Sequence, residues 1–284
     1  MGTSPFARGT AVTSAGGDRF TANLPPIWNC PTVPQGGIVV ATVARAMAAA
    51  LGDESQPLRS ISAVFAGPVE AGPVVIDVAV LRRGRSMSQC TATIRNPAAG
   101  AGTTAIAVFG GLRRGYDFTD IAPPRVPPPH ECPSFRDPPP VDFEHGEPFA
   151  FWDNVEGRPA LGHAPWEDYE PTSSLNAIWH RFDETPRLDD GRWDPFAVVA
   201  LCDTMPGAVG ERLGPHEERW VPPSADFTAH VLNDTRADYL LAVNRARHAG
   251  DGYASVDMEM WDLDGNDPVL VAYATQMMFF VFPK

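Results

Sequence analysis

The stretch Gln35–Leu51, QGGIVVATVARAMAAAL, limits what this chain can become more than any other. Two glycines open a run of small and β-branched apolar residues in which Arg45 is the single charge. A helix that is apolar on nearly every face has to be wrapped by other elements. At about 16 residues it is also short of the roughly 20 that a membrane-spanning helix needs. The wrapper follows at once. Leu58–Phe65, Val74–Leu81, Ser86–Arg95 and Thr103–Gly110 read as strands, separated by Gly67-Pro68, Gly72-Pro73, the basic turn Arg82–Arg85 and the wide turn Asn96–Gly102. Upstream, residues 1–17 read as a loose start, and Asp18–Trp28 alternates as a strand until Pro25-Pro26 interrupts it.

From Tyr116 to about Pro148 the composition changes. Ten of the chain's 30 prolines fall between Pro123 and Pro148, so this segment cannot sustain a ladder of backbone donors and reads as an extended connector over the surface. The second half then repeats the plan of the first. Phe149–Trp152 and Leu175–Phe182 are strand-like, and Pro195–Leu213 is again a helix of small apolar residues, broken or kinked at Pro206. Ser224–Leu232, Ala237–Asn244, Gly252–Asp262 and Pro268–Phe282 are four strand candidates, the last two joined at Asp264-Gly265-Asn266. Ser224-Ala225-Asp226-Phe227 even echoes Ser62-Ala63-Val64-Phe65, and Gly84 and Gly252 stand at matching turns. The expected fold is therefore α+β, two antiparallel sheets each wrapped around a central apolar helix. Residues 1–115 and 149–284 form the two units, with 116–148 as linker.

With 22 basic and 35 acidic residues the chain carries a formal charge of −13, which argues against nucleic acid or an anionic membrane surface as partner. Cys30, Cys90, Cys132 and Cys202 lie far apart without CxxC spacing, against a disulfide framework and a zinc site. With no apolar leader at its N-terminus, the chain is expected in the cytoplasm. No HExxH string or paired-ligand spacing asks for a metal, and no cofactor is implied. No GxSxG elbow is present either. His230 reads as a surface residue, and Met277–Phe280 as core at the edge of a tunnel.

Two polar residues stand where polarity is unfavourable. Asp203 interrupts the buried-helix pattern in LCDTMPG, and Gln276 interrupts the apolar strand AYATQMMFF. Read from the residues alone, they are either a functional pair or a helix cap near Pro206 and an outward-facing strand residue.

Longer strings carry a resemblance. DRFTANLPPIWN, then FAGPVEAGPVVIDVAVLRRGRS and TTAIAVFGG, resemble the N-terminal half of the TesB-like acyl-CoA thioesterases (the acyl-CoA thioesterase II family). LCDTMPG, PPSADFTAH and AYATQMMFF resemble the C-terminal half of the same family, and together the strings cover about Asp18 to Phe282 apart from the linker. The resemblance implies a tandem double hotdog that hydrolyses fatty acyl-CoA. It implies an acid, a hydroxyl and a glutamine that hold one water against the thioester carbonyl, at Asp203, Ser224 and Gln276. The family's hydroxyl residue is usually threonine, so Ser224 keeps the hydroxyl and loses the methyl that restricts its rotamer.

Gly36 and Gly37, opening the first helix, are candidate oxyanion donors. Arg82, Arg83 and Arg85 are candidates for the phosphates of CoA, against the plainer reading of a solvated turn. A non-catalytic acyl-CoA-binding protein is the alternative function, supported by Ser224. An enoyl-CoA hydratase is weaker, because Gly265-Asn266-Asp267-Pro268 only echoes a hydratase motif and no histidine follows. Whether the tandem unit assembles further as a homo-oligomer stays open.

Overall fold

A computed structural model describes residues 4–137 and 149–282. Its first helix, α1 (Pro5–Gly9), is followed by β1 (Thr13–Gly16) and β2 (Arg19–Leu24). The long helix α2 (Gly36–Leu51) comes next, then β3 (Leu58–Phe65), β4 (Gly72–Arg82), β5 (Met87–Arg95) and β6 (Thr103–Gly110). The second half holds β7 (Val155–Leu161), β8 (Leu175–Phe182), α3 (Pro195–Cys202) and α4 (Gly207–Leu213). It ends with β9 (Ser224–Val231), β10 (Leu240–Gly250), β11 (Tyr253–Asp262) and β12 (Val269–Phe279).

The helix α2 starts where Gln35 supplies a cap, its side chain accepting from Ile38 N–H, and stops at Gly52 in a left-handed conformation with φ 60°. Eleven of its residues are buried, Ile38, Val40, Val43 and Met47 completely, so the wrapped helix expected from the sequence is present. Inner faces of β3 to β6 cover it with Ile61, Ile76, Ile94, Ala107 and Phe109. In α3, Ala197–Cys202 are all buried, and the helix stops because Pro206 cannot continue it.

The two sheets expected from the sequence are in fact one. The strand order is β1-β2-β4-β5-β6-β3-β9-β12-β11-β10-β8-β7, antiparallel at every pairing. The join is β3 to β9, from Ser60↔His230 to Val64↔Asp226, and the Thr228 hydroxyl donates to Ser62 Oγ at 3.0 Å across it. Each of these strands would otherwise end its sheet with unpaired backbone groups, and pairing them satisfies both.

Three further expectations change. The loose start is a helix and a strand, with Ser4 capping α1 from its side chain and Phe6 buried against Trp28 and Phe182. Phe149–Trp152 is not a strand: Ala150–Asp153 form a 3-10 turn, with Phe151 buried against Trp28. Ala237–Asn244 begins and ends too early, since β10 runs Leu240–Gly250. Residues 111–128 have no regular structure and lead across the outer face of the second half, where Trp179 Nε1–H donates to Pro127 O at 3.0 Å. The part of the expected linker from 138 to 148 lies outside the described residues. No helix among the described residues is long and apolar enough to cross a membrane.

Arg83 has a structural duty. Its guanidinium donates to Leu51 O and, at 3.1 Å, to Ala50 O, the open carbonyls at the C-terminal end of α2. Arg83→Met should lower stability by about 1 kcal/mol, read as a lower denaturation midpoint at unchanged m-value.

Candidate functional site

The C-terminal end of α3 meets the N-terminal end of α2. Asp203 is the residue at which α3 ends, and the turn from Asp203 to Pro206 aims its carboxylate at the opening turn of α2. Gly37 N–H donates to Asp203 Oδ2 at 2.8 Å. The approach is this close because residue 37 has no side chain. A Cβ there would stand 2.5 Å from Ala200 O and 3.0 Å from Asp203 Cβ. A Cβ on Gly36 would stand 2.7 Å from Asp203 Oδ2 and 3.0 Å from the Phe65 ring.

The other carboxylate oxygen belongs to the sheet. Gln276 Nε2 donates to Asp203 Oδ1 at 2.9 Å, and Ser224 Oγ donates to the same oxygen at 3.3 Å. Gln276 Nε2 also contacts Ser224 Oγ, while its Oε1 is buried without a hydrogen-bond partner among the described residues. Gln276 is buried and lies on the inner face of β12, so the reading that placed it outward does not hold. Ser224 gets there by a bulge. Along β9, Phe227, Ala229 and Val231 point inward and Asp226 outward, so strict alternation would turn residue 224 outward. The ladder to β12 shifts between Met277↔Asp226 and Met278↔Ser224, which inserts Ala225 as an extra residue and turns Ser224 back toward the carboxylate.

Asp203 itself is half-buried, yet its carboxyl group is enclosed by protein. Burial is the largest influence and pushes its pKa up to about 7, against the hydrogen bonds from Gly37, Ser224 and Gln276, which favour the ionised form. Two thiols share the neighbourhood. Burial, reinforced by the Asp203 charge, pushes Cys30 up to about 12 and raises Cys202 further, so both stay protonated at neutral pH. His180, on β8, touches the same turn through Thr204 Oγ1 at 3.3 Å, and burial lowers its pKa to about 4.

The structure thus brings Asp203, Ser224, Gln276 and Gly37 within hydrogen-bond reach, with Gly36 beside them. The N–H of Gly37 is committed to Asp203, whereas that of Gly36, at the first helical position, has no intrahelical acceptor. The arginine turn is not brought here. Arg83 is bound to the far end of α2, and about 20 Å of helix at roughly 1.5 Å per residue separates Gly37 from Leu51. Arg82 and Arg85 are exposed at that same far end. Met277 is 38% exposed and faces outward, so of the expected tunnel methionines only Met278 points into the core. His230 is exposed, as read from the sequence. Among the described residues no cluster of three or more His, Cys, Asp or Glu is placed to hold a metal ion. A surface cleft of about 710 Å³, lined by Arg8, Thr21, Asn23 and Ile27 among others, lies elsewhere and contains none of the site residues.

Sequence reasoning missed Gln35, whose side chain is buried between the two helix ends. Its position beside the two glycines was the only available signal.

Models of the acyl-CoA thioesterase N-terminal and C-terminal domains match residues 24–110 and 129–280. No curated protein sequence matches the chain. Among solved structures, a conserved protein of unknown function with a hot dog fold from Alicyclobacillus acidocaldarius is 26% identical, with TM-score 0.80, over 99% of this chain and 100% of its own. An acyl-CoA thioesterase II from Mycobacterium marinum is 19% identical, with TM-score 0.72, over 98% of this chain and 99% of its own. The tesB protein of Mycobacterium avium subs paratuberculosis is 18% identical, with TM-score 0.72, over 97% and 98%. The last two share the fold.

Proposed function

Because the chain belongs to the acyl-CoA thioesterase family, and is a thioester hydrolase of the double-hotdog fold, we propose that it cleaves fatty acyl-CoA to free acid and CoA with Asp203 as general base. The observation that carries the reading is the carboxylate held from two sides, by Gly37 N–H on Oδ2 and by Gln276 and Ser224 on Oδ1, with its pKa near 7.

A base must be ionised to accept a proton, and one whose pKa lies near the working pH also holds that proton well enough to transfer it. In the proposed step a water donates one hydrogen bond to Asp203 and the other to Gln276 Oε1, the acceptor without a partner among the described residues. The water oxygen bonds to the thioester carbonyl carbon as its proton passes to Asp203. The carbonyl electrons move to the oxygen, and the Gly36 N–H, at the positive end of α2, is the donor assigned to that oxyanion. Collapse of the tetrahedral species breaks the C–S bond. The Asp203 proton leaves with the CoA thiolate, and the carboxylate is restored.

The domain division 1–115, 116–148 and 149–284 belongs to the same proposal, with the base and its sheet partners in the second unit and the glycines in the first. So does a cytoplasmic location, argued from the scattered cysteines.

The test is release of free thiol from acyl-CoAs of increasing chain length between about pH 5 and pH 9. The acid limb of kcat should bend near pH 7, and below it the rate should fall about tenfold per pH unit as Asp203 takes up its proton. A rate flat down to about pH 5 would remove Asp203 as the base. Binding of acyl-CoA without turnover at any chain length would favour the acyl-binding alternative.

A further inference from the structure

Gln35 uses its whole carboxamide to join two helices that are far apart in sequence. Its Oε1 accepts from Ile38 N–H at 3.0 Å and so caps α2. Its Nε2 donates to Ala200 O at 3.1 Å and to Asp203 O at 3.0 Å, the carbonyls at the end of α3. Its backbone N–H donates to Trp28 O at 2.9 Å, which fixes the residue from behind. The residue is 6% exposed, and both amide hydrogens and the oxygen have partners. The two glycines that follow it are the ones whose missing Cβ atoms admit Ala200 and Asp203.

We propose that Gln35 is a positioning residue for the hydrolysis, clasping the end of α3 to the start of α2 so that the Asp203 carboxylate is registered on the Gly37 N–H. This rests on the reading of Asp203 as the base. The residue type follows from the partners. One end must accept from an N–H and the other must donate twice to carbonyls, at the reach of a three-carbon side chain, and only glutamine does both without charge. Glutamate would keep the acceptor for Ile38 N–H and set an oxygen against two carbonyl oxygens. Methionine, of similar size, would leave all three groups unpaired.

The experiment uses the full chain with Gln35→Glu and Gln35→Met. It measures kcat, KM and their pH dependence on an acyl-CoA, and follows the Asp203 carboxyl directly by ¹³C NMR titration, assigned by its absence in Asp203→Asn. In the wild type and in Gln35→Met the titratable neighbours of this carboxyl are the thiols Cys30 and Cys202, both protonated across the range, so its titration is read without interference from them; Gln35→Glu adds a carboxylate beside it and is judged by kcat or by a titration that fails to move. Misplacement of a reacting group by about 1 Å lowers rates about 100-fold, and that is the expected loss of kcat in both variants, with KM within about threefold. In Gln35→Met the Asp203 carboxyl should titrate at higher pH than in the wild type, because the Gly37 N–H no longer favours its ionised form. Should Gln35→Met fail to fold, Gln35→Glu decides, since it retains the helix cap. Wild-type kcat and an unmoved Asp203 titration in Gln35→Glu would reduce Gln35 to a cap and overturn the proposal. A loss of kcat with an unmoved titration would overturn it as well. In Gln35→Met, a moved titration with unchanged kcat would leave the clasp standing and remove Asp203 as the base.

Discussion

Asp203→Asn is expected to lower kcat by about 10³-fold, within the range of 10²–10⁴ that a positioned general base contributes, with KM for acyl-CoA little changed. The amide is nearly isosteric and its oxygen can still accept from Gly37, Ser224 or Gln276, so the site's geometry is kept while its basicity is lost. The same substitution should raise stability above neutral pH. In the folded protein the carboxyl has a pKa of about 7 against an ordinary 3.8, so between those values the native state binds more protons than the unfolded chain. Stability therefore falls as pH rises through that window, and the loss is complete above about pH 7. A neutral amide escapes it. Thermal melts at about pH 8 should show Asp203→Asn melting higher than the wild type while turning over far more slowly. Full activity in the variant would show that the base lies elsewhere; an unchanged melt at both pH 5 and about pH 8 would show that the carboxyl titrates normally.

Gly37→Ala is expected to lower both stability and rate. Helix propensity alone predicts the opposite, since alanine is favoured over glycine by about 1 kcal/mol inside a helix. Contact decides against it. The added methyl would lie 2.5 Å from Ala200 O and 2.9 Å from Ala200 Cα, both backbone atoms, so neither can swing aside. Overpacking of this kind costs about 1–3 kcal/mol, and parting the helices also weakens the Gly37 hydrogen bond to a carboxylate, a class of bond worth about 1.5–3 kcal/mol. A net loss of about 2 kcal/mol follows, together with a fall in kcat on the order of 100-fold as the carboxylate leaves its register. Denaturant unfolding and thiol release on the same preparation check both. A variant more stable than the wild type would mean that α2 and α3 slide apart without penalty.

Much of this fold could be read before any coordinates. The helix Gly36–Leu51 and the strands Leu58–Phe65 and Thr103–Gly110 have the bounds expected of them, because each carries its own period and its own stop signals. What escaped was set by distant partners. The helix around Phe6 is too short to announce itself and is held by Trp28 and Phe182. The strand Val155–Leu161 contains Pro159, a residue tolerated there because the strand forms the sheet's edge. The fusion of two sheets through β3 and β9 leaves no mark in either strand's pattern. Within the site, Asp203 and Gln276 stood out as polar residues in apolar runs, whereas Ser224 did not. A bulge at Ala225 decides which way Ser224 faces, and alternation read from the sequence gives the opposite answer. The arginines of the Arg82–Arg85 turn read as one cluster, but Arg83 is drawn to helix carbonyls that only the fold brings near.

The seam between β3 and β9 has a kinetic consequence. Ser62 and Thr228 meet across 166 residues of chain, and Gly37 meets Asp203 across the same separation. Contacts of such long range form late, after each half has closed its own local pairings, because the entropy of loop closure must be met before they stabilise anything. In refolding from denaturant, secondary structure should therefore return ahead of turnover. The recovery of thiol release is then a clock for the last event of assembly, the meeting of the two halves.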